Sequence, residues 1–120
     1  MAHATVFRDD QAVVQSFDWG DLTWRASAAL GNSDQLTVGT CVLKVGFTNT
    51  RHVHADCDEI LVVGKGSIAH TVSEGEEAIL GPGDTISIPA GLPHSTRNVG
   101  DEDAILTIIY PTGERSFAPV

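Results

Sequence analysis

The segment GFTNTRHVHADCDEILVVGKG, running from Gly46 to Gly66, decides the fold and points to the chemistry. His52 and His54 are separated by one residue, so on a strand both imidazoles face the same side, and in a closed barrel that side can be the interior. The acidic turn containing Asp56 and Asp58 can bring the chain back alongside, and Glu59 then places a carboxylate at the start of the next apolar run.

Outward from this segment the same grammar continues. Short β-branched stretches alternate with Gly, Pro, Asn or Asp at intervals of roughly 8 to 12 residues, the pattern of an all-β sandwich or barrel. The reading predicts strands over Thr23 to Ala28, Leu36 to Val45, Arg51 to His54, Glu59 to Gly64, Ser67 to Ser73, Glu77 to Leu80, Thr85 to Ile88, His94 to Asn98 and Ala104 to Tyr110. Pro82 followed by Gly83 suits a type II turn, and Gly64, Gly66, Gly75 and Gly100 tolerate positive φ. No apolar run holds helical spacing for more than a turn or two, and no repeat or low-complexity segment occurs. The expected architecture is antiparallel and nearly free of helix.

Four of the five histidines lie between positions 52 and 94. The pair His52 and His54 makes half of a metal site, Glu59 adds a carboxylate, and His94 is introduced by a distant segment with Pro89, Gly91 and Pro93. Neutral imidazoles with one carboxylate suit Fe(II), Mn(II), Ni(II), Zn(II) or Cu(II), whereas Mg(II) and Ca(II) want oxygen.

The spacing resembles that of the cupin superfamily. Gly46, His52, His54, Glu59 and Gly66 reproduce the first cupin motif, G(X)5HXH(X)4E(X)6G, and Gly83, Pro89, Gly91, His94 and Asn98 reproduce the second, G(X)5PXG(X)2H(X)3N. No motif position departs. The resemblance covers residues 46–98 and implies that residues 1–120 form one cupin domain, an antiparallel jelly-roll β-barrel with one divalent metal ion held by His52, His54, Glu59 and His94. It also implies a homodimer as a common assembly. Glu59 sets the chain apart from the thiol dioxygenases, a cupin branch that typically uses three histidines alone.

Other residues have competing readings. His70 alternates with Ile68 and Val72, so it could line the cavity as a catalytic acid or base, or serve as a hydrogen-bonded core or surface histidine. Cys57 shares strand parity with Glu59, but the intervening turn breaks that count and an ordinary loop thiol is expected. Arg51 and Arg97 could steer an anionic ligand or balance an acidic surface. Trp19, Trp24 and Phe47 could wall a pocket or pack in a core or interface, and His3 is a terminal residue with no assigned role.

Composition narrows the partners. A mean hydropathy of +0.03, 42% hydrophobic and 19% charged residues describe a globular chain. Sixteen acidic against seven basic residues give a net charge of −9, which repels a phosphate backbone, so no nucleic-acid partner is expected. No run approaches the roughly 20 apolar residues of a membrane span, and the N-terminus lacks the regions of a signal peptide, which makes the cytoplasm the default and a membrane partner unexpected. Cys41 and Cys57 are isolated thiols and not a CxxC pair, in keeping with a reducing compartment.

Four protein ligands leave one or two positions open on an ion that prefers five or six, and about one net positive charge, favouring a ligand that chelates as an anion: an enolate, a catecholate or a hydroxy acid. The leading expectation is a metal-dependent enzyme acting on a small oxygenated metabolite. With iron, the first choice of metal, it would be a dioxygenase and hence an oxidoreductase; with Mn, Ni or Zn, a lyase, isomerase or decarboxylase. The alternative is a non-catalytic cupin that binds a small ligand or metal, since fold does not dictate function.

Overall fold

The computed structural model describes residues 2–120, whose elements are eleven strands and one short 3-10 turn, Asp9–Gln11. The strands are β1 (Val13–Phe17), β2 (Gly20–Ala26), β3 (Thr37–Leu43), β4 (His52–Val53), β5 (Glu59–Lys65), β6 (Ile68–Ser73), β7 (Glu76–Leu80), β8 (Thr85–Ile88), β9 (Thr96–Asn98), β10 (Ala104–Tyr110) and β11 (Ala118–Pro119). All pairings are antiparallel: a six-stranded sheet in the order β1-β2-β3-β10-β5-β8, a three-stranded sheet β7-β6-β9 and a pair β11-β4. This is the expected all-β jelly roll.

Period-two burial fixes which side chains face inward. On β3 the inward set is Thr37, Gly39, Cys41 and Leu43; on β10 it is Ala104, Leu106, Ile108 and Tyr110; on β5 it is Glu59, Leu61 and Val63. Glu59 is therefore carried inside by the parity of two apolar neighbours on its own strand. Leu43, Leu106, Ile68 and Ile88 are at most 1% exposed and anchor the core, each contributing about 1.5 to 3 kcal/mol by burial.

Two positions demand glycine. Gly66 has φ +88 in the turn between β5 and β6, and a Cβ there would lie 2.9 Å from the Ala104 Cα. Gly20 has φ +148, and a Cβ would strike the Val42 carbonyl oxygen.

Asn98, the last residue of the second motif, is a structural tie. Its side-chain amide donates to the Leu43 carbonyl and the Glu102 carbonyl, each at 2.9 Å, and its oxygen accepts from the Gly100 N–H at 2.9 Å. Asn98→Ala removes three bonds and strands a buried carbonyl, so it is expected to lower stability by about 2 kcal/mol in urea unfolding. Metal content at saturating ion should stay at the wild-type level, because Asn98 holds the turn and is not among the donors.

Candidate metal centre and its cavity

His52 opens β4, and His54 follows that strand. The backbones of His52 and His94 exchange both N–H to carbonyl bonds, at 3.0 and 2.8 Å, which brings the distant second motif against the first. Glu59 enters from β5. All four side chains are buried, and one donor atom from each lies within 4.8 Å of every other. His52 Nε2 is 3.1 Å from His54 Nε2, and Glu59 Oε1 is 3.1 Å from His54 Nε2 and 3.3 Å from His94 Nε2.

The outer nitrogens decide the protonation pattern. His52 Nδ1 lies 2.6 Å from the Thr50 carbonyl, His54 Nδ1 2.6 Å from the Ser116 carbonyl and His94 Nδ1 2.7 Å from the Leu92 carbonyl. A carbonyl only accepts, so each Nδ1 carries the proton and each Nε2 of a neutral ring presents a lone pair to the centre. Three nitrogen lone pairs and a carboxylate oxygen therefore converge without a proton to share among them. The short contacts do not relieve this, since Glu59 Oε1 and His94 Nε2 have no aligned hydrogen-bond partner although buried. Such a cluster fits a cation. Donors on bonds of about 2.1 Å lie about 3.0 Å apart at right angles and about 3.4 Å apart in a tetrahedron, which brackets three of the cluster's donor separations, 3.1, 3.1 and 3.3 Å, the others being no more than 4.8 Å.

Charge preferences agree. Burial alone would raise the Glu59 carboxyl, but a proton taken up by the His54 or His94 ring and shared with it outweighs burial and holds the group below the usual carboxylate range, and a cation in that proton's place would act in the same direction. Burial lowers His52 from 6.5 to about 4, the Thr50 carbonyl opposing and the His94 and His54 rings adding to burial. The sign of the resulting pH dependence follows. Unfolded His52 takes up its proton near 6.5 and folded His52 only near 4, so between these values the unfolded chain binds more protons. The contribution is complete above pH 6.5 and is lost as the pH falls to 4, amounting to about 3 kcal/mol. Chelator-treated wild type should lose about that much more stability between pH 7 and pH 4 than His52→Gln, read by urea unfolding at both pH values.

The centre opens into a cavity of about 710 Å³. Its walls are mostly apolar and aromatic, including Phe17, Trp19, Trp24, Tyr110 and Phe117. His70 lines it, fully buried on β6, with its ring 5.5 Å from that of His94. His70 Nδ1–H donates to the Thr71 carbonyl at 2.8 Å, which leaves the buried Nε2 lone pair without a partner. Burial lowers the His70 pKa, the Thr71 carbonyl opposing and His94 adding to burial. Val72 departs from the expected shared face and is exposed, because a register shift between Thr71 and Ser73 interrupts the alternation.

Other sequence candidates disperse. Cys57 is a buried free thiol outside the donor cluster, Arg97 pairs with Glu77 on the surface at 2.9 Å, Arg51 lies outside the main cavity and Phe47 is exposed. Trp19 and Trp24 do wall the cavity. Sequence reading missed the C-terminal tail. Ser116 supplies the carbonyl that orients His54 and a hydroxyl that donates to Asp56, while Phe117 stacks on His52 with ring centroids 4.8 Å apart. An Arg115, Ser116, Phe117 run just after Gly113 was its one visible signal.

Solved structures that share the fold include three of quite different description. The oxalate decarboxylase of Lactobacillus farciminis, in a formate complex, is 17% identical with a TM-score of 0.84 over 92% of this chain, which spans about a third (34%) of that protein. The polyketide cyclase RemF from Streptomyces resistomycificus is 17% identical, with a TM-score of 0.79 over 98% of this chain and 86% of that one. Peruvianin-I, a cysteine peptidase from Thevetia peruviana latex, is 23% identical, with a TM-score of 0.80 over 96% and 76% respectively. Proteins of such different description share one architecture, so at these identities the likeness speaks to fold alone. No curated protein sequence matches the chain. The cupin domain profile matches residues 39–110, more than half of the chain and every donor of the centre, and the chain accordingly belongs to the cupin family.

Proposed function

We propose that the protein is a metal-dependent cupin enzyme acting on a small oxygenated metabolite with an apolar body. The observation that carries this reading is the pairing, in one cavity, of a four-donor cluster with an unpartnered imidazole lone pair. His52, His54, Glu59 and His94 would hold one divalent transition metal, iron first. A bound ion would supply Lewis-acid polarisation of substrate oxygens and, as iron(II), access to dioxygen chemistry.

The chain's own residues supply the rest. The aromatic walls exclude water and hold a flat apolar body by contact. Trp19 Nε1–H, buried without a partner, offers a donor to a ligand oxygen. His70 Nε2 accepts a proton from a carbon acid or hydroxyl placed between it and the centre, and its neutral form is the one burial favours. Proton removal of this kind suits ring cleavage by dioxygen as well as isomerase or lyase chemistry.

The deciding test is oxygen consumption by the iron(II)-loaded protein over β-diketones, catechols and flavonols, with product analysis on the manganese-, nickel- and zinc-loaded forms. Turnover of one compound class is expected. Binding of such compounds without turnover under any metal would sink the enzyme reading and leave a ligand-binding cupin.

A further inference from the structure

Arg115 is unusual among the basic residues of this acidic chain. Arg25 pairs with Asp9 at 2.7 Å, Arg97 with Glu77 at 2.9 Å, and Lys65 lies 3.8 Å from Glu102. Arg115, like Arg8, Lys44 and Arg51, has no carboxylate within ion-pair distance among the described residues, but of the seven basic side chains it alone lines the cavity. Aromatic faces hold it in place instead: its guanidinium carbon lies 4.3 Å from the Trp24 ring centre and 5.5 Å from those of Tyr110 and Phe117. Cation–π attraction of this kind holds the guanidinium over the rings without using its N–H groups, which make no hydrogen bond or ion pair to protein among the described residues. Tyr110 and Phe117 are the rings that pack against His54 and His52, with centroids 4.9 and 4.8 Å apart, so Arg115 stands one ring away from the donor cluster. Of the two acidic residues on the cavity wall, Glu59 belongs to that cluster and Glu114 is exposed to solvent.

We infer that Arg115 is a carboxylate anchor, so that the substrate is an aromatic or similarly flat carboxylate whose oxygen-bearing end reaches His52, His54, Glu59 and His94. This rests on the proposed reading of the centre and adds the substrate class. A single planar guanidinium bedded among rings matches the planar, two-oxygen geometry of a carboxylate. The cavity, at about 710 Å³, has room for a body of one or more rings between the two ends.

The test compares 3,4-dihydroxybenzoate with its methyl ester by titration calorimetry on zinc-loaded protein. Both carry the same catechol, and only the acid carries the anion. Wild type is expected to bind the acid at least about tenfold tighter than the ester. Arg115→Gln should erase that preference by weakening the acid while leaving the ester within about twofold, and Arg115→Lys, which keeps a cation over the rings, should retain part of it. Equal affinities in wild type, no binding of either compound, or equal weakening of both in Arg115→Gln would overturn the assignment. The measurement needs no turnover, so selectivity without catalysis would defeat only the enzyme reading, and catalysis without selectivity only the anchor.

Discussion

After loading with iron(II), manganese(II), nickel(II) or zinc(II) and desalting, wild-type protein is expected to hold about one equivalent of metal by elemental analysis, while His94→Ala and Glu59→Gln hold almost none. Each variant removes one donor from a cluster whose remaining atoms stay oriented by Thr50, Ser116 and, where His94 is kept, Leu92. Loss of an outer hydrogen bond to a ligand already costs 10- to 100-fold in affinity, so loss of a ligand should cost more than about 100-fold. Glu59→Gln is the sharper of the two because it keeps the shape and deletes the charge. A metal present at 1,000 times its dissociation constant stabilises the folded state by about 4 kcal/mol, which should raise the thermal midpoint of wild type by about 10 °C or more and leave both variants unmoved. His94→Ala and Glu59→Gln both matching wild type in metal content and midpoint shift would show that the cluster is not the metal site, whereas Glu59→Gln alone matching it would remove only Glu59 from the ligand set.

How far the sequence exposes this site depends on where each residue stands. The His52 and His54 pair was legible because strand parity needs no knowledge of neighbouring strands, and Glu59 because Leu61 and Val63 share its inward face. β2, β3 and β10 announced themselves as β-branched or apolar runs bounded by turn residues, although the reading started β2 three residues late at Thr23. β1 was invisible for a physical reason: all five of its residues are exposed at the sheet edge, so no burial period marks it, yet Gln15 accepts from Trp24 Nε1 at 2.8 Å and Phe17 stacks on Trp19. β11 is two residues long and contains Pro119, too short for any periodic signal. The tail nevertheless closes over the centre, because β11 pairs with β4 and carries Ser116 and Phe117 to the imidazoles. Contacts made by a chain end across the whole fold leave no local trace. The buried side of β6 was likewise only half readable, since Ala69 and Thr71 are buried along with Ile68 and His70 and alternation alone would place them outside.

His70→Asn should separate a catalytic histidine from a structural one. Asparagine can place its amide nitrogen near the position of Nδ1 and keep the bond to the Thr71 carbonyl, while nothing remains at Nε2. On a compound that the loaded protein turns over, kcat is expected to fall by about 100- to 10,000-fold, the range for a lost general base, with metal content unchanged. Stability should move little, within about 1 kcal/mol, because wild type already carries a buried Nε2 without a partner, and removing an unsatisfied polar atom offsets part of the lost packing. The acid limb of the pH-rate profile should also disappear, since burial keeps wild-type His70 neutral to lower pH than a free imidazole and its protonation is what removes the base. A histidine retained for the core gives the opposite pattern: a stability loss of several kcal/mol in His70→Asn with kcat near wild type at a temperature where the variant is folded. Natural sequences seldom keep an unsatisfied buried nitrogen for stability, which is why the expected outcome places its use in the reaction.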